Sequence, residues 1–348
     1  MKKILLPEAG ENMKYYRANL HCHSTISDGG KTPEQLKEDY KKNGYSILSI
    51  TDHDILIPHD DLTDDEFLML NGYELSIASD TEKTCHLCFV ALEEGNTEQV
   101  CYHRTKYIWG NAQNYRGQIN FDESKPDFER SYTPECVNEM IKTGVDSGFF
   151  VTYNHPVWSV ELYPDYMQFE GMDAMEIMNY ASVVAGWDDD NGHCYDDMLH
   201  GGKRLFCIGA DDNHNRVPDD DPKCGSYGGY IMVAAPSLDY NTVGKALKNG
   251  DFYAGYGDYK RMGPEIYSLE YEDDTVRIKT SEARLISFMA DIRNNQCVNA
   301  RIGENFVTEA EFKVGKNVKW FRIVVTDDLG YKAYTNAYFT DELRAEDK

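Results

Sequence analysis

Polar residues that directly follow apolar segments constrain the fold of this chain more than any other feature. The apolar run 45–50 leads into Thr-Asp-His at 51–53, and the run 149–153 leads into Asn-His-Pro. Helix signals separate such runs, because Thr-Pro-Glu at 32–34 is typical of a capped first turn and Asn-Gly at 43–44 of a helix end. Parallel sheets carry their sites at the carboxyl ends of the strands. The sequence therefore predicts an α/β domain with one polar site at that edge.

Residues 16–20 are typical of a short strand. Two histidines, His21 and His23, follow this strand and are separated by one residue. Residues two apart on a strand point to the same side, so both imidazoles can bind one metal ion. Asp28 follows in a Ser-Asp-Gly turn, where glycine lets the chain bend back sharply. The turn can bring its carboxylate to the same ion or to a neighbouring one. The alternative is a chance pair of histidines on a surface strand.

Nine imidazole and carboxylate side chains share this position near the predicted strand ends. They include six of the ten histidines and no cysteine, which suits Zn, Mn or Fe in an open hydrolytic site and disfavours a closed structural zinc site. Asp211 and Asp212 are alternative metal ligands. We choose Asp212 because it lies two residues before His214 and shares its side of the strand. The candidate metal ligands are His21, His23, Asp28, His53, Glu74, His86, His155, Asp212 and His214.

The sequence changes character near residue 260. From Ile266 onward it consists of short alternating strands with acidic turns, and Asp-Asp-Leu-Gly at 327–330 is a hairpin signal. We therefore predict two domains, a catalytic barrel over 1–261 and a small all-β sandwich over 262–348. The polar stretch 93–132 does not continue the alternation of strand and helix signals, and it is either a substrate-covering loop or a surface excursion.

Composition narrows the partners of the chain. Its formal net charge of −25 disfavours long nucleic acids, whereas a small phosphorylated substrate is compatible if metal ions supply positive charge. No apolar run approaches the roughly 20 residues of a membrane span, and the brief apolar run at the start stops at Pro7. The nine cysteines form no Cys-x-x-Cys pair and are expected to be reduced. We expect a cytoplasmic protein that does not bind membranes, and the oligomeric state is not indicated.

The order of these motifs resembles the PHP family (polymerase and histidinol phosphatase). The resemblance spans roughly residues 15–258 and rests on His-x-His with Ser-Asp-Gly, Thr-Asp-His, Glu74, His86, Asn-His-Pro and Asp-x-His. It implies a distorted (β/α)7 TIM-like barrel with a two- or three-metal site that usually hydrolyses phosphoesters. Phe-Tyr-Ala-Gly-Tyr-Gly at 252–257 and the β module resemble the branch with a C-terminal β-sandwich, the carbaryl-hydrolase-like branch.

The resemblance also implies how the ligands divide among the metals, and it implies that Glu74 bridges the first two. The first metal would take His21, His23, Glu74 and Asp212, the second would take Glu74, His86 and His155, and the third would take Asp28, His53 and His214. Gly-Ala-Asp-Asp-Asn-His at 209–214 departs from the family's usual Gly-Ser-Asp-x-His. His155 and His214 are also candidate catalytic proton donors, beside metal-bound water. Arg104, Arg116 and Arg216 are candidates for binding a substrate phosphate.

These observations lead to three hypotheses about function. The first is a metal-dependent phosphoesterase that hydrolyses a small phosphorylated metabolite or nucleotide through a metal-bound hydroxide. The second is a metallohydrolase of a carboxylic ester, carbamate or amide bond, which the same hydroxide would serve. The third is a binding scaffold that retains metals, and the full ligand set argues against it because a scaffold has no need of an open hydrolytic site.

Overall fold

The computed structural model describes residues 2–301, 303 and 305–345, and it shows a mixed α/β fold built on two sheets. The strands of the first half are β1 (Lys3–Leu6), β2 (Lys14–Asn19), β3 (Ile47–Ile50), β4 (Leu68–Ala78), β5 (Thr84–Ala91), β6 (Phe149–Tyr153), β7 (Ala174–Asn179) and β8 (Phe206–Ala210). Those of the second half are β9 (Gly229–Ala235), β10 (Phe252–Tyr256), β11 (Ile266–Glu272), β12 (Thr275–Ala283), β13 (Leu285–Ala290), β14 (Gln296–Asn299), β15 (Val307–Lys313), β16 (Trp320–Thr326), β17 (Lys332–Thr335) and β18 (Tyr338–Phe339). The helices are α1 (Pro33–Lys42), α2 (Pro134–Asp146), α3 (Tyr163–Tyr166), α4 (Tyr180–Val184), α5 (Gly192–His200), α6 (Tyr240–Asn249) and α7 (Thr340–Arg344), with 3-10 turns at Asp60–Leu62 and Gly110–Gln118.

Local capping signals explain where the two main early helices begin. The Thr32 hydroxyl accepts a hydrogen bond from the backbone N–H of Gln35, whose side chain in turn accepts from the backbone N–H of Thr32. Thr133 caps α2 in the same way through the backbone N–H of Cys136. Each such cap stabilises a helix by about 1 kcal/mol because it satisfies an N–H that has no partner within the helix. The apolar faces of these helices then pack onto the strands.

Every candidate ligand lies either on a strand of the larger sheet or in a loop that follows one of its strands. Its order is β14-β13-β16-β17-β10-β9-β2-β3-β4-β5-β6-β7-β8, with β18 paired to β16. The segments that follow β2 and β8 also meet, since the backbone N–H of His23 donates to the carbonyl of Asn213 at 3.1 Å and that of Asp212 donates to the carbonyl of His21 at 3.0 Å. This contact brings the His-x-His motif beside Asp212, almost 190 residues later in the chain.

One expectation about this sheet is wrong. The sequence predicts Glu74 at the end of a strand, but Glu74 lies inside β4. Strand β4 forms an antiparallel hairpin with β5, in which residues 72–78 pair with residues 90–84. The strands β5 and β6 are antiparallel as well. The connection between β4 and β5 is only five residues long, too short for the crossover that parallel strands require. His86 likewise is the third residue of β5, not its first.

The C-terminal strands are divided between the two sheets. The smaller sheet has the antiparallel order β1-β11-β12-β15, while β10 pairs with β17 and so joins the remaining C-terminal strands to the larger sheet. Aromatic side chains from the two sheets meet, with ring centroids 5.6 Å apart for Phe288 and Phe312 and 6.5 Å apart for Tyr271 and Phe321. The predicted hairpin at 327–330 joins the antiparallel strands β16 and β17. The domain boundary at 261/262 stays a prediction, and strand β1 pairs with β11 across it.

The stretch 93–132 has one 3-10 segment and a small core of its own. Ile108, Ala112 and Ile119 pack with Ile26 and Ile55, which belong to the segments that carry candidate ligands. The stretch is therefore packed against the polar edge of the larger sheet. All nine cysteines are free, and eight of them are buried. Among the described residues, no helix is long and apolar enough to cross a membrane.

Candidate metal centre

The structure brings all nine sequence-predicted ligands together. They form four overlapping groups, and within each group the potential ligand atoms all lie within 4.8 Å of one another. No described residue after His214 belongs to any of these groups. The groups are His21, His23 and Asp212; His21, Glu74 and His155; His53, Glu74 and His86; and His23, Asp28, His53 and His214.

Glu74 lies at the centre of this cluster and is fully buried. Nitrogens of five imidazoles lie within 3.5 Å of its carboxylate: Oε1 is 3.1 Å from His21 Nε2, 3.0 Å from His86 Nδ1 and 3.4 Å from His155 Nε2, and Oε2 is 3.0 Å from His53 Nδ1 and 3.5 Å from His23 Nε2. Yet Oε2 has no hydrogen-bond partner of suitable geometry. A shared cation would satisfy this arrangement, in which five imidazoles surround one carboxylate and Oε2 has no hydrogen bond.

The first group matches the dimensions of a metal site most closely. The His21 and His23 Nε2 atoms are 3.2 Å apart, and Asp212 Oδ1 lies 3.3 Å and 3.0 Å from them. A tetrahedral zinc ion with ligands at 2.0–2.1 Å separates its donor atoms by about 3.3 Å. These three atoms can therefore form one face of such a site, with a Glu74 oxygen as a further ligand.

The group around Asp28 is wider and more accessible. Asp28 Oδ1 lies 3.8 Å from His53 Nε2, and Asp28 Oδ2 lies 3.4 Å from His214 Nε2. The side chains of Asp28 and His214 are partly exposed, unlike those of His21 and His23. Arg216 forms an ion pair with Asp28 from the solvent side. This corner of the cluster is therefore open to solvent.

The observed groups differ in part from the division that the family resemblance implies. His21 contacts Glu74 and His155 as well as His23 and Asp212, and His53 directs Nδ1 towards Glu74 and Nε2 towards Asp28. A neutral imidazole has one unprotonated nitrogen and cannot hold two cations at once. His53 therefore serves either the Glu74 side or the Asp28 side of the cluster.

Glu176 contacts two of the candidate ligands, although no motif marks it in the sequence. It is fully buried on β7, and its Oε1 lies 2.7 Å from His21 Nδ1 while Oε2 accepts a hydrogen bond from the backbone N–H of His155 at 2.9 Å. A carboxylate behind an imidazole fixes the tautomer and leaves Nε2 free to bind a metal. The only sequence signal is a glutamate in the middle of a mostly apolar strand.

Asp52 and Ser159 hold other parts of the cluster. Asp52 is buried and accepts hydrogen bonds from the Ser24 backbone N–H at 2.8 Å and the Ser24 hydroxyl at 2.6 Å, which fixes the loop that leads to Asp28. The Ser159 hydroxyl lies 3.1 Å from His155 Nδ1 and so orients Nε2 of that ring towards Glu74. These contacts preorganise the ligand atoms.

Asp211 and Asp212 point in different directions and have different partners. Asp211 is buried and accepts hydrogen bonds from the Tyr40 hydroxyl at 2.6 Å and from the backbone N–H groups of Tyr227 at 2.7 Å and Gly229 at 2.7 Å. Asp212 belongs to the first ligand group and has a positive φ of 52°. Asp211 is thus fully engaged in structural contacts, which leaves Asp212 as the candidate ligand.

The candidate histidines differ in their protonation. In spite of burial, neighbouring carboxylates raise the pKa of His53 and of His155 to about 9, and they also raise the pKa of His21 and of His214, so a cation that binds these imidazoles must displace protons. Burial, together with the nearby imidazoles of His214 and His53, lowers the pKa of His23 to about 3, so its ring is neutral at pH 7 and has one nitrogen free to bind a metal ion. Burial by itself would raise the pKa of Glu74, but the surrounding histidines outweigh it and hold the pKa well below its usual range. Neutral imidazoles and ionised carboxylates are the forms that bind metal ions.

A cavity of about 520 Å³ opens onto the cluster. Six candidate ligands line it, and so do Trp109, Trp158 and Arg216. The other two candidate phosphate-binding arginines do not line it. Arg104 pairs with Asp127 at 2.6 Å, and Arg116 donates to the carbonyl oxygen of Arg104 at 2.6 Å. Of the three arginines, only Arg216 is placed to meet a substrate in this cavity.

Comparisons with known proteins find structural neighbours only. No family model matches the chain, and no curated protein matches it. A two-domain protein from Bacteroides vulgatus, described as containing a predicted PHP-like metal-dependent phosphoesterase, is 15% identical over 96% of this chain and 98% of that one, with a TM-score of 0.45. A proposed metal-dependent phosphoesterase from Bifidobacterium adolescentis is 15% identical over 57% of this chain and 88% of that one, with a TM-score of 0.37.

A third neighbour is an amidohydrolase from Chromobacterium violaceum with bound sulfate and no metal. It is 16% identical over 57% of this chain and 87% of that one, with a TM-score of 0.36. The first of the three carries the family name that the sequence motifs resemble. At these identities and TM-scores the neighbours carry no argument about function, which rests on the residues of the site itself.

Proposed function

We propose that this protein is a metal-dependent phosphoesterase that hydrolyses a small phosphorylated metabolite or nucleotide. One observation carries the proposal: the buried Glu74 carboxylate lies within 3.5 Å of nitrogens from five imidazoles, and the cluster opens onto a cavity. A buried carboxylate with that many imidazoles has no structural purpose that a hydrophobic core would not serve better. Two or three divalent ions, Zn, Mn or Fe, would satisfy it.

The donor atoms fit such ions. His21, His23 and Asp212 would hold the first, and Glu74 would face both the first and the second, where His155 or His86 completes the set. Asp28 and His214 would hold the third. When bound, these ions supply hydroxide at neutral pH and positive charge beside the substrate oxygens.

The chain's own residues orient the substrate and move the proton. Arg216 is anchored by Asp28 at the cavity wall and presents a guanidinium to an anionic group. The carbonyl oxygen of Asp212 accepts a hydrogen bond from Nδ1 of His214 at 3.1 Å, which leaves Nε2 facing the cavity side of the cluster. His214 would return a proton to the leaving alcohol only if its Nε2 does not hold the third ion, since a nitrogen bound to a metal carries no proton. His155 is buried and directed at Glu74, which favours a ligand role for it.

We also propose the fold class, the size of the substrate and the cellular location of the protein. The contact between the segments after β2 and β8 supports the distorted (β/α)7 barrel, and the ring contacts between the two sheets support the C-terminal β-sandwich. The net charge of −25 supports a small substrate in place of a long nucleic acid. Eight buried, unpaired cysteines support a cytoplasmic location.

A second candidate function is hydrolysis of a carboxylic ester, carbamate or amide, because the same hydroxide serves those bonds. Arg216 at the cavity wall favours the phosphoester, since a neutral ester offers it no charge. A scaffold that merely retains metals is the third candidate, and the open cavity disfavours it.

Metal analysis combined with a substrate panel tests the proposal. Protein purified without chelator should contain at least two divalent ions per chain, and less than one equivalent would overturn the proposal. Metal-loaded protein should hydrolyse p-nitrophenyl phosphate faster than p-nitrophenyl acetate. The opposite preference would favour the second candidate, and no turnover of any phosphoester, ester or amide at full metal loading would favour the scaffold.

A further inference from the structure

We propose that Trp109 and Trp158 form two aromatic walls of the catalytic cavity and that the substrate presents a flat aromatic ring to them. The inference rests on the proposed function and names its substrate class: a phosphoester whose alcohol portion carries an aryl group or a nucleobase. Both indoles line the cavity, yet they are 48% and 41% exposed. A large apolar surface that stays open to water beside a candidate active site is typical of a binding surface.

The two indoles lie directly beside candidate ligands. The ring centroid of Trp109 is 5.7 Å from that of His53. The centroid of Trp158 is 5.5 Å from that of His86 and 5.0 Å from that of His155. A ring that stacks on either indole would therefore lie beside the ligand cluster that would hold a phosphate.

Trp109 is held in place by its neighbours in the chain. Ile108 and Ala112 are buried in the small core that they form with Ile26 and Ile55. Trp109 lies between the two buried residues, so the backbone is fixed while the indole projects over His53. The anchored backbone on both sides of Trp109 therefore keeps its indole at the surface of the cavity.

Arg130 ties this segment to the ligand-bearing strands. Its guanidinium forms a buried ion pair with Asp54, donates to the carbonyl oxygen of Ser76 at 3.0 Å, and lies 4.4 Å from the ring centroid of Tyr107. Asp54 follows His53 directly, and Ser76 lines the cavity. The anchoring supports the interpretation of 93–132 as a substrate-covering loop, because a surface excursion needs no such attachment to the site.

Trp158 is fixed by the tight turn that carries His155. The backbone N–H of Ser159 donates to the carbonyl oxygen of His155 at 3.0 Å, and that of Trp158 donates to Asp189 Oδ2 at 3.2 Å. The indole of Trp158 and the imidazole of His155 meet edge to face at 81°. Trp158 is 41% exposed and lines the cavity, so part of the indole surface is open to a ligand ring.

The rest of the cavity leaves room for such a ring. Ala181, Ser182 and Ala185, small residues of α4 and its end, line another part of the wall, and Arg216 supplies a positive charge. The volume of about 520 Å³ suits a small aromatic phosphoester. Aromatic walls, small residues and one cation are the combination that accepts a flat ring together with an anion.

Two matched substrate pairs test the inference on metal-loaded protein. The first pair is benzyl phosphate and cyclohexylmethyl phosphate, which differ in ring flatness but share an alkyl leaving group. The second pair is adenosine 5′-monophosphate and ribose 5-phosphate, which differ in the base. We expect wild-type kcat/KM to favour the aromatic member of at least one pair by about tenfold or more. The pair that shows the preference identifies whether an aryl group or a nucleobase is the natural ring.

Three alanine variants complete the test. Trp109→Ala and Trp158→Ala should each reduce kcat/KM for the preferred aromatic member by about 5- to 100-fold, mainly through KM, as loss of ring stacking does. Both should keep the wild-type metal content and stay within about threefold of wild type on the non-aromatic member. Trp187→Ala is the matched control, because Trp187 is 42% exposed and does not line the cavity. This variant should match wild type on all four substrates.

The outcomes that overturn the inference differ from those that overturn the proposed function. Equal wild-type rates on both members of both pairs, or equal losses on both members in the tryptophan variants, would refute the aromatic walls while leaving the phosphoesterase intact. If no phosphate is hydrolysed, calorimetric titration with benzylphosphonate and cyclohexylmethylphosphonate still decides the matter. Tighter binding of benzylphosphonate that depends on both tryptophans supports the walls, and equal binding refutes them.

Discussion

Replacing two neighbouring aspartates by asparagine, one at a time, tests the assignment of the metal centre. Asp212→Asn should lower metal content and reduce turnover by on the order of 100-fold, because the variant loses a charge that lies 3.0–3.3 Å from the Nε2 atoms of His21 and His23. The fold should persist. Asp212 has a positive φ of 52°, a backbone conformation that asparagine adopts more readily than most residues.

Asp211→Asn should have the opposite effect, retaining metal but losing stability. Asp211 accepts four hydrogen bonds: the N–H groups of Gly228 and Gly229 donate to Oδ1, and the Tyr40 hydroxyl and the Tyr227 N–H donate to Oδ2. An asparagine amide can replace only one of the two oxygens, so at least one buried N–H loses its acceptor. Each such loss costs about 1–3 kcal/mol.

Burial of the charge offsets part of this cost. Desolvation raises the pKa of Asp211 to about 6 in spite of its four donors, and asparagine removes that charge. We therefore expect a net loss of ~2–4 kcal/mol, which corresponds to a Tm lower by roughly 5 °C or more in a chain of this size. Thermal unfolding should be followed by circular dichroism on metal-free protein, with metal content and phosphatase rate measured on the loaded protein.

The contrast between the variants is the decisive result. If Asp211→Asn loses metal and activity while Asp212→Asn retains both, the ligand assignment is wrong, and Asp211 is the metal ligand. If both variants lose metal equally, the two aspartates act as one unit and the separate roles inferred from their contacts are refuted.

Four further outcomes are expected. Glu74→Gln should lower metal occupancy and cut turnover by on the order of 100-fold or more, because an amide cannot offset the charge of two cations, whereas His59→Ala, outside the ligand groups, should stay within about threefold of wild type. Glu176→Gln should weaken metal affinity by roughly 10- to 100-fold, seen in a chelator competition, and an unchanged affinity would mean that the carboxylate behind His21 does not matter. Burial raises the pKa of Glu161 to about 7, so between about pH 4.5 and 7 the folded state holds a proton that the unfolded state has released. The free energy of unfolding should therefore fall more between pH 5 and 8 in wild type than in Glu161→Gln. Dialysis against a chelator should abolish turnover, and added Zn, Mn or Fe should restore it; activity that survives complete metal removal would contradict the proposed chemistry.

The residues of the candidate site were within reach of the sequence. All nine sequence-predicted ligands lie in the observed cluster, since each motif combines residue types with metal affinity and a neighbouring strand signal. Helix α1 begins at its predicted cap for a similar reason, because capping depends on residues within four positions of each other. Such local signals survive in the sequence without any knowledge of distant contacts.

Other features of the site depend on contacts between distant segments. Glu176 lies behind His21 only because β7 and β2 are brought to the same cluster, and a glutamate in an apolar strand gives no hint of that partner. The role of Trp109 depends on Arg130 and on the small core beneath it, which joins segments more than 80 residues apart. Glu74 likewise lies inside a strand because β4 and β5 form an antiparallel hairpin, whereas a series of parallel strands predicts it at a strand end.

The sequence by itself therefore determined which chemical groups this protein can bring to a metal ion, and about where along the chain each one lies. The tertiary structure decided which of them share a partner, which neighbour supports each imidazole, and what surrounds the cavity above them. Residue type and local pattern are properties of a few adjacent residues. The distance between two side chains, by contrast, depends on strand pairing and packing across the whole fold.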